Sequence, residues 1–236
     1  MKRFYTDVTT TPADAPDSFA VLLDGRSVRT PQKHFLVLPT LALADGIASE
    51  WSAQSNETVD VHTMPLTRHA CTAIDRIAGQ RHMTVAEIAN FARSDLLCYR
   101  AKSPEILLKR QSEGWQPVLD WLAETLDAPL EVTTGIEHVE QPVASIDNIK
   151  EYLRGQSDMQ LSAQHTLTAG MGSVVLGLAV AHEHLTADQA YELSIIDEMF
   201  QTEHWGDDQE WVERRAALKM MIVAAETMLK LLKDKT

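Results

Sequence analysis

The residues with the clearest chemical potential lie between positions 197 and 210. This stretch holds carboxylates but no lysine or arginine, together with Gln201 and the pair Trp205-Gly206. Two such carboxylates could act as a general acid and a general base. An aromatic side chain among acids could instead recognise a basic patch on a partner protein. Helix capping with a solvated acidic face is the structural alternative. The acids are Asp197, Glu198, Glu203, Asp207, Asp208 and Glu210.

Helical spacing decides which of these side chains act together. Asp197, Gln201 and Trp205 are four residues apart and therefore share one face of a helix. Acids placed this closely, with no basic residue in the segment, repel one another, and a partner's lysine or arginine would relieve that repulsion. We therefore predict a partner-binding surface made of Asp197, Glu198, Gln201, Trp205, Asp208 and Glu210.

Other catalytic patterns are missing from the sequence. It has no P-loop, G-x-G-x-x-G, G-x-S-x-G, H-E-x-x-H or C-x-x-C pattern, and the glycines near residue 170 lack a following lysine. His182 and His184 would point about 200° apart on a helix, too far to share one metal ion easily. Cys71 and Cys98 have apolar neighbours, which indicates reduced core residues. We expect no catalysis, no cofactor and no metal ion.

Charge and hydropathy exclude further classes of protein. The 236 residues include 21 Lys and Arg against 34 Asp and Glu, a net charge of −13. Nucleic acids and anionic membranes both require a basic face, so neither is an expected partner. The longest strongly apolar run, residues 174–181, is too short to cross a bilayer of about 30 Å. The first residues, MKRFYTDV, resemble neither a signal peptide nor a transit peptide. We expect a bacterial cytoplasmic protein; a processed mitochondrial matrix protein would look the same.

The first 80 residues predict a small α+β domain. Short strands are expected at 19–23, 27–30, 34–38 and 59–62, with Asp24-Gly25 as a hairpin turn. Thr40 is the predicted N-cap of a helix over 41–55, on which Trp51 is a core anchor and Gln54 follows the same stripe. Thr67 is expected to cap a second helix, which would cover the sheet.

Residues 81–236 predict a larger, mainly helical domain, with Trp115 as a further anchor. Capping boxes are expected at Thr84 and Thr186, and an N-cap at Asp207 with Glu210 at the third helical position. A helix should start at Ser103-Pro104-Glu105 and be kinked or split at Pro117. Residues 130–134 and 136–141 could be extended. Gly206 should end the helix that contains the acidic segment.

Several short strings together resemble the Atp-twelve family, the assembly factor of the F₁ sector of ATP synthase. Each string is weak alone, but their order and spacing run from residue 3 to about residue 232. The strings include Arg3-Phe4-Tyr5, Leu23-Asp24-Gly25-Arg26, Leu38-Pro39-Thr40, Glu50-Trp51-x-x-Gln54, Met64-Pro65-Leu66-Thr67, Thr72-Ala73-Ile74-Asp75, Cys98-Tyr99-Arg100, Gln111, Trp115-x-Pro117, Gln141-Pro142, Leu176-Gly177-Leu178-Ala179, Asp197-Glu198-x-x-Gln201-x-x-x-Trp205-Gly206 and Arg214-Arg215.

The resemblance implies a chaperone with no nucleotide site. Such a protein would bind the unassembled alpha subunit of F₁ and shield its interface until the beta subunit replaces it, and it would be a monomer when free. The family fold, a small α+β domain followed by a helical domain, agrees with the elements expected from the sequence. Two alternatives remain at this stage: an interaction module unrelated to ATP synthase, and a carboxylate enzyme that uses residues 197–210.

The missing phosphate-binding loop generates the first prediction. We expect the purified protein neither to bind nor to hydrolyse ATP, because no glycine-rich loop is present to surround the phosphates. Calorimetric titration with Mg-ATP should show no heat of binding. Binding in the micromolar range would contradict this prediction.

Overall fold

The structure is a computed structural model that describes residues 2–55, 57–206 and 209–233, without the side chains of His204 and Trp205. Its contacts divide the chain into two compact units. The first comprises Met1–Arg81, Ser157–Ala163 and Ala224–Thr236; the second comprises His82–Gln156 and Gln164–Val223. Two later segments of the chain are therefore grouped with the N-terminal residues. The architecture is α+β, which confirms the predicted fold class.

The first unit contains a four-stranded antiparallel sheet with β2 at its centre. Its strands are β1 (Val8–Pro12), β2 (Phe19–Leu23), β3 (Arg26–Ser27) and β4 (Val37–Leu38), and β2 pairs with the other three. Asp24 and Gly25 have φ of 47° and 76°. Such left-handed residues match the twist of a tight hairpin, so the predicted turn is confirmed. Sequence analysis missed β1, since its threonines show no apolar alternation.

Helix α1 (Leu41–Ser52) packs against this sheet. Thr40 caps it as predicted, with its hydroxyl oxygen 3.2 Å from the Leu43 N–H. The Trp51 side chain is only 8% exposed, and the Tyr5 hydroxyl donates to the Trp51 carbonyl oxygen at 2.7 Å. Gln54 is also buried, and its amide oxygen accepts from the Asp60 N–H at 2.7 Å. This hydrogen bond to Gln54 holds the segment that follows α1 in position.

Three sequence predictions between residues 59 and 84 are wrong. The strand expected at 59–62 is instead a 3₁₀ turn, Val61–Thr63. Thr67 does not cap a helix, because α2 (Pro65–Thr72) starts before it. Thr84 is buried inside α3 (Ala78–Asn90), which follows α2 through a π-helical segment, Ala73–Ile77. The helical path is kinked at Gln80, which has a non-helical φ of −136°, so the helix that contains Thr84 starts before it and leaves no place for a capping box there.

A glutamate caps α2 instead of a threonine. The Glu50 carboxylate accepts from the Leu66 N–H at 2.7 Å and from the Thr67 N–H at 2.8 Å. It also accepts from the Thr67 hydroxyl at 2.7 Å. Burial nevertheless raises the pKa of Glu50, because desolvation outweighs these hydrogen bonds. A side chain of α1 therefore satisfies the N-terminus of α2.

The second unit is mainly helical. Trp115, on α4 (Glu105–Leu126), is fully buried, and its indole N–H donates to the Leu193 carbonyl at 2.9 Å. Helix α4 runs through Pro117 as one helix. The Thr186 capping box and the helix end at Gly206 are confirmed, whereas Asp207 lies outside the described residues. The helices of the chain after α3 are α4 (Glu105–Leu126), α5 (Val143–Arg154), α6 (Asp158–Met171), α7 (Val174–Ala181), α8 (Ala187–Ser194), α9 (Ile196–Trp205) and α10 (Gln209–Leu231).

Two short strands complete the second unit. β5 (Tyr99–Arg100) and β6 (Thr133–Thr134) pair in parallel. The extended segment expected at 130–134 thus contributes only its last two residues to a strand. The described structure has no strand at 136–141, where a second extended segment was expected.

A fully buried carboxylate holds the start of α7. Asp95 accepts from the Ser173 hydroxyl at 2.7 Å, from the Leu97 N–H at 3.1 Å and from the Val175 N–H at 3.2 Å. Ser173 in turn caps α7 by accepting from the Leu176 N–H. Burial raises the pKa of Asp95 to about 6, since desolvation outweighs the hydrogen bonds that favour the charged form.

The burial of Trp51 predicts a large effect of a charge at this position. We expect Trp51→Arg to destabilise the first unit by more than about 3 kcal/mol, because the guanidinium would be buried without an acid to pair with. Ser52→Arg is the control, since Ser52 is the next residue and is exposed. Thermal unfolding should separate the two variants, and an unchanged melting temperature for Trp51→Arg would contradict the assignment.

Asp95 predicts a pH-dependent contribution to stability. Its folded-state pKa is raised, so its contribution is complete below the unfolded-state pKa of about 4 and is lost as pH rises through about 6. The loss is about 3 kcal/mol at most. Asp95→Asn removes this titration. The difference in the free energy of unfolding between the wild type and the variant should therefore be smaller at pH 8 than at pH 4. Denaturant unfolding at both pH values tests this; an equal difference at the two would contradict it.

Candidate partner-binding surface

The predicted site residues lie on and around α9, which follows α8 after a single residue and ends at Gly206. We call the described residues of 197–203 together with Glu210 the α9 surface. Gly206 has a φ of 85°, a left-handed conformation that suits glycine, and its N–H donates to the Thr202 carbonyl at 2.9 Å. The side chain of Trp205 and all of Asp208 lie outside the described structure.

Asp197 is directed toward α4. Its carboxylate accepts from the Gln111 amide at 2.6 Å. Gln111 is 1% exposed and also accepts from the Ala101 N–H at 2.7 Å, so its orientation is fixed from both ends. Asp197 therefore attaches α9 to α4. Gln201, one turn later, is exposed to solvent.

A second attachment joins the same two helices. Arg110 donates through Nη1 to both oxygens of Glu203, at 2.8 and 2.9 Å. Its guanidinium carbon also lies 5.6 Å from the ring centroid of Phe200, which is largely buried. Because this ion pair is nearly half exposed, its net stabilisation is small. Its role is to hold the orientation of α9.

Glu198 lies near Tyr191 of α8, as do two basic residues of α10. Burial raises the pKa of Tyr191, and the Glu198 carboxylate adds to this while Arg215 and Lys219 oppose it. Lys219 lies over the Tyr191 ring, 5.6 Å from its centroid. Arg215 donates to the Thr202 hydroxyl at 3.4 Å. Lys219 itself pairs with Asp188 at 2.8 Å.

The expectation that these acids lack basic neighbours is therefore wrong. The segment itself contains no lysine or arginine, but Arg110 of α4 pairs with Glu203, and Arg215 of α10 donates to Thr202. Sequence analysis could not find these partners, which lie about 15 to 90 positions away. Among the described acids and Gln201, the exposed residues are Gln201, Glu203 and Glu210, while Asp197 and Glu198 are half-buried.

Exposed apolar side chains lie in the same part of the chain. Met199 on α9 is 39% exposed, and Trp211 and Val212, in the first turn of α10, are 51% and 47% exposed. Trp211 is thus a surface residue. The combination of acids and accessible apolar groups suits protein recognition.

The histidines and cysteines considered as metal ligands or nucleophiles have structural roles. The His184 ring stacks on Trp121, with centroids 4.8 Å apart, and His182 meets Trp121 edge-on. Within the described ranges, no three His, Cys, Asp or Glu residues are grouped to hold a metal ion. Burial raises the pKa of the Cys71 thiol to about 11 and that of Cys98 still further. Neither thiol is activated as a nucleophile.

The hydropathy of the helices bears on membrane insertion. No described helix combines the length and the apolar character that crossing a bilayer requires.

Comparison with known proteins places the chain in a family. Residues 2–123 match the family model described as ATP12 chaperone protein. A curated relative, "Protein atp12, mitochondrial" of Schizosaccharomyces pombe, is 24% identical over 198 residues, which are 79% of this chain and 68% of the relative.

Solved structures extend the similarity to nearly the whole chain. Atp12 from Paracoccus denitrificans is 39% identical, covers 98% of both chains and superimposes with a TM-score of 0.92. The Atu1473 protein of Agrobacterium tumefaciens is 42% identical, with 98% of this chain and 86% of the other covered and a TM-score of 0.94. The chain therefore belongs to the ATP12 family of chaperones, which act in the assembly of ATP synthase.

Proposed function

We propose that the protein binds the unassembled alpha subunit of F₁ and shields its interface until the beta subunit takes its place. The observation that carries this proposal is the similarity to Paracoccus denitrificans Atp12 over 98% of both chains. An unassembled subunit exposes apolar surface that would otherwise aggregate. A chaperone of this kind needs an accessible apolar region with a polar rim.

The α9 surface supports the proposal, and we propose it as the region that contacts the subunit. Met199 supplies exposed apolar area, while Glu198 and Gln201 on α9 and Glu210 in the first turn of α10 supply polar groups. The attachments of α9 to α4 hold these groups in place before a partner arrives, and such preorganisation lowers the entropic cost of binding. The residues proposed to contact the subunit are Asp197, Glu198, Gln201, Trp205, Asp208 and Glu210.

Within this set the residues have different roles. Asp197 is already bonded to Gln111, so its contribution is the positioning of α9 as well as any contact with the subunit. Glu198 is half-buried in the first turn of α9, and we propose that it meets a basic group of the subunit. We further propose that the protein is not an enzyme, that it is a monomer when free, and that it acts in the bacterial cytoplasm or, for a mitochondrial member, in the matrix.

Co-expression with the cognate alpha subunit tests the proposal. Size-exclusion chromatography should show the two chains eluting together, and adding the beta subunit should release the chaperone. An interaction module unrelated to ATP synthase would leave the alpha subunit uncaptured, and that outcome would overturn the proposal.

Charge reversal at Glu198 should weaken capture. We expect Glu198→Lys to lower the affinity for the alpha subunit at least about tenfold, or about 1.4 kcal/mol, because a desolvated charge pair would be lost. Circular dichroism should show an intact fold. Glu198→Gln removes the charge without reversing it and should show a smaller loss.

Glu124→Lys is the matched control, since Glu124 is an exposed acid on α4 and the net charge change is the same. Its affinity should equal that of the wild type. Unchanged affinity of Glu198→Lys with an intact fold would place the recognition surface elsewhere.

A further inference from the structure

The first unit has a sheet edge with no partner strand. β1 lies at one end of the sheet, with β2 on one side. No other described residue pairs with its outer side. An extended chain with an unpaired edge presents backbone donors and acceptors that can bind another strand.

The register of β1 identifies these groups. The Asp24 N–H donates to the Asp7 carbonyl at 3.0 Å, and the Ala13 N–H donates to the Ser18 carbonyl at 2.8 Å. Hydrogen-bonded and non-bonded positions alternate along an antiparallel pair, so the odd-numbered residues of β1 bond to β2 and the even-numbered ones face outward. The outward groups are the N–H of Val8 and Thr10 and the C=O of Val8, Thr10 and Pro12.

This edge carries little of the protection that natural sheets use. Edge strands are usually blocked by lysines, bulges or prolines. Residues 8–11 include no charged residue, and β1 pairs with β2 without a bulge over its full length. Only Pro12 removes an outward donor, and it stands at the end of the strand. The outward N–H and C=O groups of Val8 and Thr10 are thus open to an added strand.

The charges around the edge indicate what such a strand would contain. Residues 8–17 include Asp14 and Asp17 but no lysine or arginine. Asp45 of α1 is exposed, and its carboxylate accepts from the Thr10 hydroxyl at 2.9 Å. A carboxylate therefore lies beside the middle of the edge, and another lies just beyond its end. Lysine or arginine in the added strand would complement both.

We propose that β1 binds an extended segment of the client subunit, containing lysine or arginine, as a fifth strand of the sheet. This inference rests on the proposed function, because the client is the alpha subunit. Backbone hydrogen bonds to Val8 and Thr10 hold the segment in register, and Asp45 and Asp14 pair with its basic side chains. The contact is separate in sequence from the α9 surface.

Substitution of Thr10 tests the backbone contact. Thr10→Pro removes an outward N–H and leaves the hydrogen bonds to β2 in place, whereas Thr10→Ala keeps the N–H. Both variants lose the hydroxyl contact with Asp45, so the comparison between them isolates the backbone N–H of residue 10. We expect Thr10→Pro to capture the co-expressed alpha subunit at least about tenfold more weakly than Thr10→Ala. Equal capture by the two would overturn the inference while leaving the proposed function intact.

Amide hydrogen exchange on the wild type gives a second measurement that does not depend on the folding of Thr10→Pro. The Val8 and Thr10 amides should exchange rapidly in the free protein and become protected in the complex with the alpha subunit. Protection of these amides in the free protein would show that a second copy occupies the edge. Unchanged exchange in the complex would show that the subunit does not bind there. Either result overturns the inference. Failure of the wild type to capture the subunit would overturn the proposed function as well.

Discussion

The N-termini of buried helices need hydrogen-bond acceptors, and this requirement governs both units. The first N–H groups of a helix have no partner within it, and each one left buried and unsatisfied costs about 1–3 kcal/mol. Asp95 satisfies the start of α7 and Glu50 satisfies the start of α2. Both are carboxylates whose desolvation is costly. They are tolerated because the N–H groups that they satisfy would otherwise be buried unpaired.

The same requirement clarifies the acids of α9. Ile195, the residue before that helix, makes no side-chain capping bond. Asp197 and Glu198 in its first turn interact favourably with the positive end of the helix dipole. These acids therefore stabilise the helix on which they would also meet a client. Their dual role explains why a cluster that looks repulsive in the sequence is compatible with a stable helix.

Local patterns predicted what depends on neighbouring residues. The Thr40 cap, the Asp24-Gly25 hairpin and the Thr186 capping box each involve residues within three positions of one another, and all are present. The partners of Asp95 and Glu203 lie about 80 to 90 positions away, so sequence spacing could not reveal them. Thr67 was misassigned for the same reason, since the true cap of α2 comes from Glu50. For the α9 surface, the sequence predicted the segment but not the groups that hold it.

The two cysteines have a practical consequence for solution studies. Burial raises the pKa of Cys71 to about 11 and that of Cys98 further. At neutral pH the thiolate fraction of Cys71 is therefore about a hundredfold below that of an ordinary cysteine. A maleimide dye would react much faster with a new exposed cysteine than with either natural thiol. Fluorescent reporters can therefore be attached at chosen surface positions without removing the native cysteines.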